Sequence, residues 1–509
     1  MKRAVLVLGL ALLPWQLRAD TFPSQERGFQ AEKAFHVGDF DTVNLFNGNL
    51  VLTIPIGGSY PVGGGLSYGL TLIYNSNAWD FEQTASATTQ ANPGRRSNAG
   101  MGWRLSLGEL LEPTDPSNET TRWIYIGSDG AEHSFYDRLH EGETVVSTVK
   151  YTRDNSYLRY RSISSTRKEV DFPDGTTRIF TWYAQWDWRL SRIEDRFGNG
   201  VDLTYVHDPI TGEVKAWKIQ DQHGRTQTIN FVTASWYGRV VGSVVLTAFN
   251  GTTATWGFGY TEVAIPRACP DNDPQTGNVT VPLLTSVSLP DGSSWSMPIS
   301  DYHLDPSAGC RLPGVLKAIT TPVLGRVEWG YGGYGFPVEG GEKPWRNLSH
   351  GVYGRTLKSA DGTALGTWTY TPSLNPIPGP NTPGREAMRA VVTPLGDKTE
   401  SFFSVSVDDT GGWSQGDYSL PFTRFVSDGG TRFLSTRTYD CDAGATNCVL
   451  ERSSYVAYDR DVGLSDAEFQ VNMDRNRRVS STRTTYEDDG GKWEATDHSN
   501  FDGLGHYRQ

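Results

Sequence analysis

Apolar residues recur at even offsets along much of this chain. Leu50, Leu52, Ile54 and Ile56 alternate with residues of mixed polarity, and Leu70, Leu72 and Tyr74 do the same. Alternation of this kind puts one face of an extended strand into a core. Over residues 167–231 the pattern is joined by turn residues and repeats. With Asp195 aligned on Asp221, each unit has an Ile two residues earlier and a Gly (Gly198, Gly224) three residues later. Leu203 and Tyr205 then stand five and seven residues past the first Gly, and Ile229 and Phe231 past the second. An Asp opening a tight bend and a Gly closing it is turn chemistry. The unit is strand, turn, strand, with the two Asp 26 residues apart. Related turns stand at Pro173-Asp174-Gly175, Pro290-Asp291-Gly292 and Asp361-Gly362, with Pro322 to Gly325 and Pro394 to Gly396 as proline versions. Proline suits such a bend because its φ is already set. Spacing between these turns is irregular, which predicts an insertion-rich array.

The remaining pattern divides the chain. Residues 36–112 form a leader module with two antiparallel strands, a glycine-rich connection at 57–65, a polar loop over 75–96 and a further strand pair opening at 100–105. Residues 121–231 carry hairpins and the first repeats, with Trp123 to Ile126 facing His133 to Tyr136. The irregular array occupies 232–440, and further repeats fill 441–509. Only 464–475 has enough helix formers for a short helix. Aromatics are plentiful (Trp 16, Tyr 23, Phe 21), as are the turn formers Gly 56 and Pro 27. Together these predict an all-β fold, a long antiparallel turn-rich sheet with very little helix.

Residues 1–19 read as a secretory signal peptide: Lys2 and Arg3, an apolar run over 4–13, and a small-residue cleavage site ending at Ala19. Pro14 cuts the run well short of the about 20 residues a spanning helix needs. Loss of Lys2, Arg3 and Arg18 takes the formal charge from −12 to −15. That balance argues against nucleic acid as a partner, which needs a basic footprint. The expected location is therefore extracellular, periplasmic or on the cell surface. All four Cys follow the signal, and export permits disulfides. Cys441 with Cys448, and Cys269 with Cys310, is the expected pairing among three connectivities, free thiols being the alternative.

Sites of chemistry are sparse. Gly330 to Gly335 matches G-x-G-x-x-G but precedes no helix, so a glycine-rich loop is expected there and no dinucleotide cofactor. Asp271-Asn272-Asp273 with Gly277-Asn278 offers oxygen ligands without the spaced, acid-terminated loop of a calcium hand. The nine His are scattered. No catalytic residue, cofactor or metal is assigned. Trp182, Trp186 and Trp188, beside Tyr183, can either stack on sugars or pack one face of a sheet.

The tandem resembles the YD-repeat, or Rhs, family of bacterial secreted and surface proteins. Gly198-Asn199 and Gly224-Arg225 match its Gly-Asn and Gly-Arg halves, and Tyr205-Val206-His207-Asp208 is a looser Tyr-Asp half. The order Phe46-Asn47-Gly48-Asn49-Leu50, Ile54-Pro55-Ile56, Leu72 to Ser76 and Gly100-Met101-Gly102-Trp103 resembles the segment before the repeats in Rhs and insecticidal-toxin shell proteins. The resemblance implies a non-enzymatic β-scaffold, the N-terminal part of a casing wound around a C-terminal effector, supplying at this length an open wall of the shell. Its partners would be the rest of a longer polypeptide or that effector; surface glycans are partners only on the sugar-stacking reading of the tryptophans. Because 501–509 opens a turn without a closing strand, a truncated array is expected. A carbohydrate-binding surface protein is the alternative reading, and a secreted glycoside hydrolase a third.

Overall fold

The computed structural model describes residues 23–85, 88–115, 122–139, 143–267, 277–305, 311–335, 348–374, 386–404, 432–442, 447–460 and 477–500. The described residues are mostly strand, with three-residue 3₁₀ turns as their only helical elements. The fold is all-β. A single antiparallel sheet of 22 strands, the wall, runs from Val149–Tyr151 to Lys492–Asp497, each strand bonded to the next in chain order. The helix expected over 464–475 and the turn at 501–509 lie outside the described residues.

In such a meander strand direction alternates, so successive turns fall on opposite margins. One rim collects the tight turns. Gly175, Gly198, Gly224, Gly292, Gly362 and Gly396 all stand there at positive φ. Five Asp side chains brace these bends by accepting from the backbone N–H two residues on: Asp174, Asp195, Asp221, Asp291 and Asp361. The strand ends bordering 268–276, 336–347, 375–385, 405–431 and 461–476 all lie on the opposite rim. The irregular repeat spacing thus has a simple geometric form: insertions accumulate on one rim, and the other stays tight.

The wall also carries a recurrent clamp. Where a strand holds one extra residue, its ladder is locally broken and it bends. At five such places the extra residue is Ser191, Gly242, Thr285, Tyr353 or Leu434. The residue just before each offers its carbonyl to a tyrosine hydroxyl. Tyr205 donates to Leu190 (2.8 Å), Tyr260 to Val241 (2.6 Å), Tyr302 to Leu284 (2.6 Å), Tyr334 to Val352 (2.6 Å) and Tyr458 to Phe433 (2.8 Å). A buried carbonyl needs a donor, and the tyrosine supplies it at these five bends.

The leader forms a five-stranded sheet in the order Phe35–Val37, Asp41–Asn44, Leu50–Gly63, Leu66–Asn75, Trp103–Leu105. Three expectations for local structure need correction. Residues 57–63 continue a strand, and the connection shrinks to a turn at Gly64-Gly65. The glycines serve close approach: a Cβ on Gly57 would stand 2.3 Å from a methyl of Leu246. The polar stretch 75–96 contains a hairpin, Trp79–Ala85 with Thr88–Pro93, anchored by buried Trp79, Phe81 and Ala91. Its few apolar residues sit on one face, which a mean polarity hides. The glycine-rich 330–335 lies within the strand Arg326–Gly335, where Gly332 makes room for the ring of Tyr353.

Leader and wall share one hydrophobic core. It runs without a break from Val43 through Leu72 and Trp103 to Ile219, Leu284, Trp329 and Phe403.

Candidate functional site

Wall and leader meet along a seam of hydrogen bonds. Leader groups are met in succession by strands along the wall. Leu107 O accepts from Arg178 Nε (3.0 Å), and Asn98 O from Val241 N (2.8 Å). Tyr60 donates to Thr247 O (2.9 Å) and Met101 N to Pro282 O (3.0 Å). Tyr74 accepts from Leu316 N (2.8 Å), Gly48 O from Val352 N (2.9 Å), and Phe46 O from Arg389 Nε (3.0 Å). Finally Glu32 O accepts from Phe433 N (3.1 Å), and the Arg432 guanidinium beside it stands 3.5 Å from Arg153 O. Arg153 follows the first wall strand. The sheet therefore curls round the leader until its beginning meets a strand far along it.

The motif Phe46 to Leu50 explains itself at the seam. Asn44, Asn47, Asn49, Asn75 and Ser76 are all buried. Asn44 and Asn47 each accept from a backbone N–H two residues on, which ties the turn. Asn49 Nδ2 then donates to Asn75 Oδ1 (2.9 Å), and Leu50 N to Ser76 Oγ (2.8 Å). Gly48, at φ +74°, lies so close to the wall that a Cβ would stand 2.5 Å from Gly351 Cα. Nearby, Asp41 and Arg355 form a buried two-pronged pair (2.6 and 2.9 Å), with Trp329 Nε1 donating to the same carboxylate (3.0 Å).

Several ionisable groups here are displaced from their ordinary values. Burial, seconded by Arg355, pulls His36 down, and its Nδ1 faces the Tyr370 hydroxyl at 2.8 Å. Burial also pulls down His303, to about 4, and His350. Burial pushes Glu26 up to about 7, in spite of Lys33. At His133 burial opposes the charge, but the carboxylates around it, Asp154 at 2.7 Å foremost with Asp129 and Glu132, together raise the imidazole.

The residues singled out in the sequence fall in three places. Asp195, Gly198, Asp221, Gly224, Gly175 and Gly292 line the tight rim, with Gly198 at φ +85° and Gly224 at +77°. Asp221 reaches further, since its carboxylate accepts from leader residue Tyr68 (3.2 Å). Cys441 and Cys448 are disulfide-bonded across facing positions of a hairpin on that rim. Cys269 and Cys310 lie outside the described residues, as does Asp271-Asn272-Asp273. Among the described residues no cluster of acids, His or Cys is placed to hold a metal. Of the tryptophans, Trp182 and Trp186 are 45% and 40% exposed, whereas Trp188 is 8% exposed and donates to Glu112 of the leader (2.8 Å). The three do not form one open face. Seam residues such as Asp41, Asn49 and Arg355 carry no local signal, because their partners lie tens to hundreds of residues away.

Near the insertion rim the leader parts from the wall and leaves a cleft of about 420 Å³. Leader residues 106–109 form one side, and the strands from Asp187–Glu194 to Gly238–Thr247 form the other. Tyr205, Trp217 and Phe231 follow one another across its floor, ring centres 6.0 and 5.0 Å apart.

No family model matches the chain, and no curated protein matches it in sequence. Among solved structures it is similar to the Photorhabdus luminescens Tc holotoxin pore carrying TccC3-D651A, at 11% identity over 94% of this chain and 24% of that one, TM-score 0.21. It is similar to the TcdB2–TccC3 crystal structure at 13% identity, over 83% and 21%, TM-score 0.21. It is also similar to the N-terminal domain of the effector protein SpvB from Salmonella typhimurium strain LT2, at 12% identity over 84% and 98%, TM-score 0.15. The chain spans under a quarter of the length of the first two. Among the described residues no helix is long and apolar enough to cross a membrane.

Proposed function

We propose that this chain is an exported, non-enzymatic β-scaffold of the secreted or cell-surface YD-repeat kind, one end of a toxin-related shell wall. The observation that carries the reading is the unbroken core between leader and wall. A wall whose inner face is already packed on its own leader holds no cargo over those strands. It acts as a stopper, and an effector would sit beyond it, against other wall surface. Partners on this reading are further repeats or an effector of a longer polypeptide. On this reading the chain divides as 36–112 leader module, 121–231 hairpins and first repeats, 232–440 irregular array with insertions and 441–509 further repeats.

Expression from the native locus with an epitope on the exposed turn at 249–251 tests this. The product is expected outside the cytoplasm, starting near Asp20, in a particle that shields a C-terminal effector from added protease. A cytoplasmic product, or an effector digested as fast as in the wall's absence, would overturn it.

A further inference from the structure

We propose that the cleft between leader residues 106–109 and the wall is a binding site for a neutral saccharide. Its volume of about 420 Å³ falls within the roughly 300–1,000 Å³ usual for small-molecule sites. The cleft is framed on both sides. Arg178 holds Leu107 and Trp188 holds Glu112 at one end, and Val241 holds Asn98 at the other. The gap is fixed by these ties, so it is a preformed space.

The lining selects the ligand. Its floor is aromatic and aliphatic, built from Leu203, Trp217 and Phe231 with Tyr205 beside them. Such rings give flat apolar surface suited to the C–H face of a sugar. Around this floor every carboxylate already has an arginine. Glu109 is paired with Arg104 (2.8 Å), Asp187 with Arg189 (2.7 Å) and Glu213 with Arg239 (2.8 Å). A cation would compete with those arginines and an anion with those carboxylates. A purely apolar ligand would cover the floor but strip water from three ion pairs without replacing its hydrogen bonds. Neighbouring hydroxyls avoid all three penalties, because a carboxylate accepts and a guanidinium donates within one pair. Exposed Trp186 directly precedes Asp187 and stands at the same rim, where a longer chain of sugars would continue. Loops on a rigid sheet are the usual place for such sites. The assignment is independent of whether the wall encloses an effector.

A neutral glycan array probed with the exported chain tests it, followed by titration of the best disaccharide using tryptophan fluorescence. Saturable binding to neutral glycans is expected, with charged analogues weaker. Glu213→Gln and Arg239→Ala, at the solvent side of the cleft, should each weaken binding about tenfold or more and leave the melting temperature unchanged. Trp182→Ala, away from the lining, should leave affinity as it is. Three results would overturn the site: no saturable binding on the array, binding indifferent to both rim variants, or binding lost with Trp182→Ala.

Discussion

Gly224 and Gly48 both stand at positive φ, but for different reasons. Around Gly224 a Cβ would meet nothing within 4 Å, so only the backbone conformation demands glycine. Gly224→Ala should therefore cost about 1–2 kcal/mol, the usual penalty for an L-residue in that region. Gly48→Ala adds a collision with the Gly351 backbone and should cost at least twice as much by urea unfolding. Equal losses would show that leader and wall are not in contact there. The tyrosine clamps make a second test. Tyr260→Phe keeps the ring and strands the Val241 carbonyl, and a buried unpaired acceptor costs about 1–3 kcal/mol. A variant as stable as the parent would remove the clamp from the account. His303 supplies a pH dependence. Its folded pKa of about 4 lies below the ordinary 6.5, with burial first and Lys317 second as causes. The unfolded chain then binds a proton that the folded chain refuses, so this group's contribution is lost as pH falls from about 6.5 towards 4. His36 and His350 act in the same direction, while Glu26 and His133 act against them. Comparison with His303→Gln isolates the one group: between pH 7.5 and 4.5 the parent should lose more stability than the variant.

Among elements, the strand–turn–strand tandem was plain in the sequence because its signals are local. Leu203 alternates with Tyr205 and Ile229 with Phe231, and the Asp and Gly that close each turn are three residues apart. Bulges were hidden for the converse reason. One extra residue such as Gly242 or Thr285 shifts the alternation by a step, and the tyrosine that compensates sits on another strand. The glycines at 57–65 were read as a connection because glycine weakens a strand in isolation. What permits them is the wall pressing on that strand. The cleft was equally illegible, since its two sides are brought together only by the curl of the sheet. The buried pair of Asp41 and Arg355 shows how elements are joined. Asp41 is 1% exposed and Arg355 3%, and removing one partner of such a pair costs about 3–5 kcal/mol. Arg355→Met should fall in that range by chemical denaturation, and Asp41→Asn added to it should recover part of the loss. Simple additivity of the two changes would show that they do not act as a pair.

At the scale of the whole molecule, an all-β array was expected from turns and alternation, but not that the leader would lie inside the curl of the wall. No local pattern encodes contacts such as Asp41 with Arg355 or Phe46 with Arg389, more than 300 residues apart. The consequence is that leader and wall form one cooperative body, in which neither buries its apolar face without the other. The wall strand Lys492–Asp497 differs: all six of its residues are exposed. Hydrogen exchange by mass spectrometry on the purified chain, followed through increasing denaturant, tests the shared body most directly. Amides of the leader strand Leu66–Asn75 and of the wall strands Asn278–Ser288 and Arg326–Gly335 should lose protection in one step, at one denaturant concentration. Loss of protection in the leader strand while those wall strands stay protected would contradict the account.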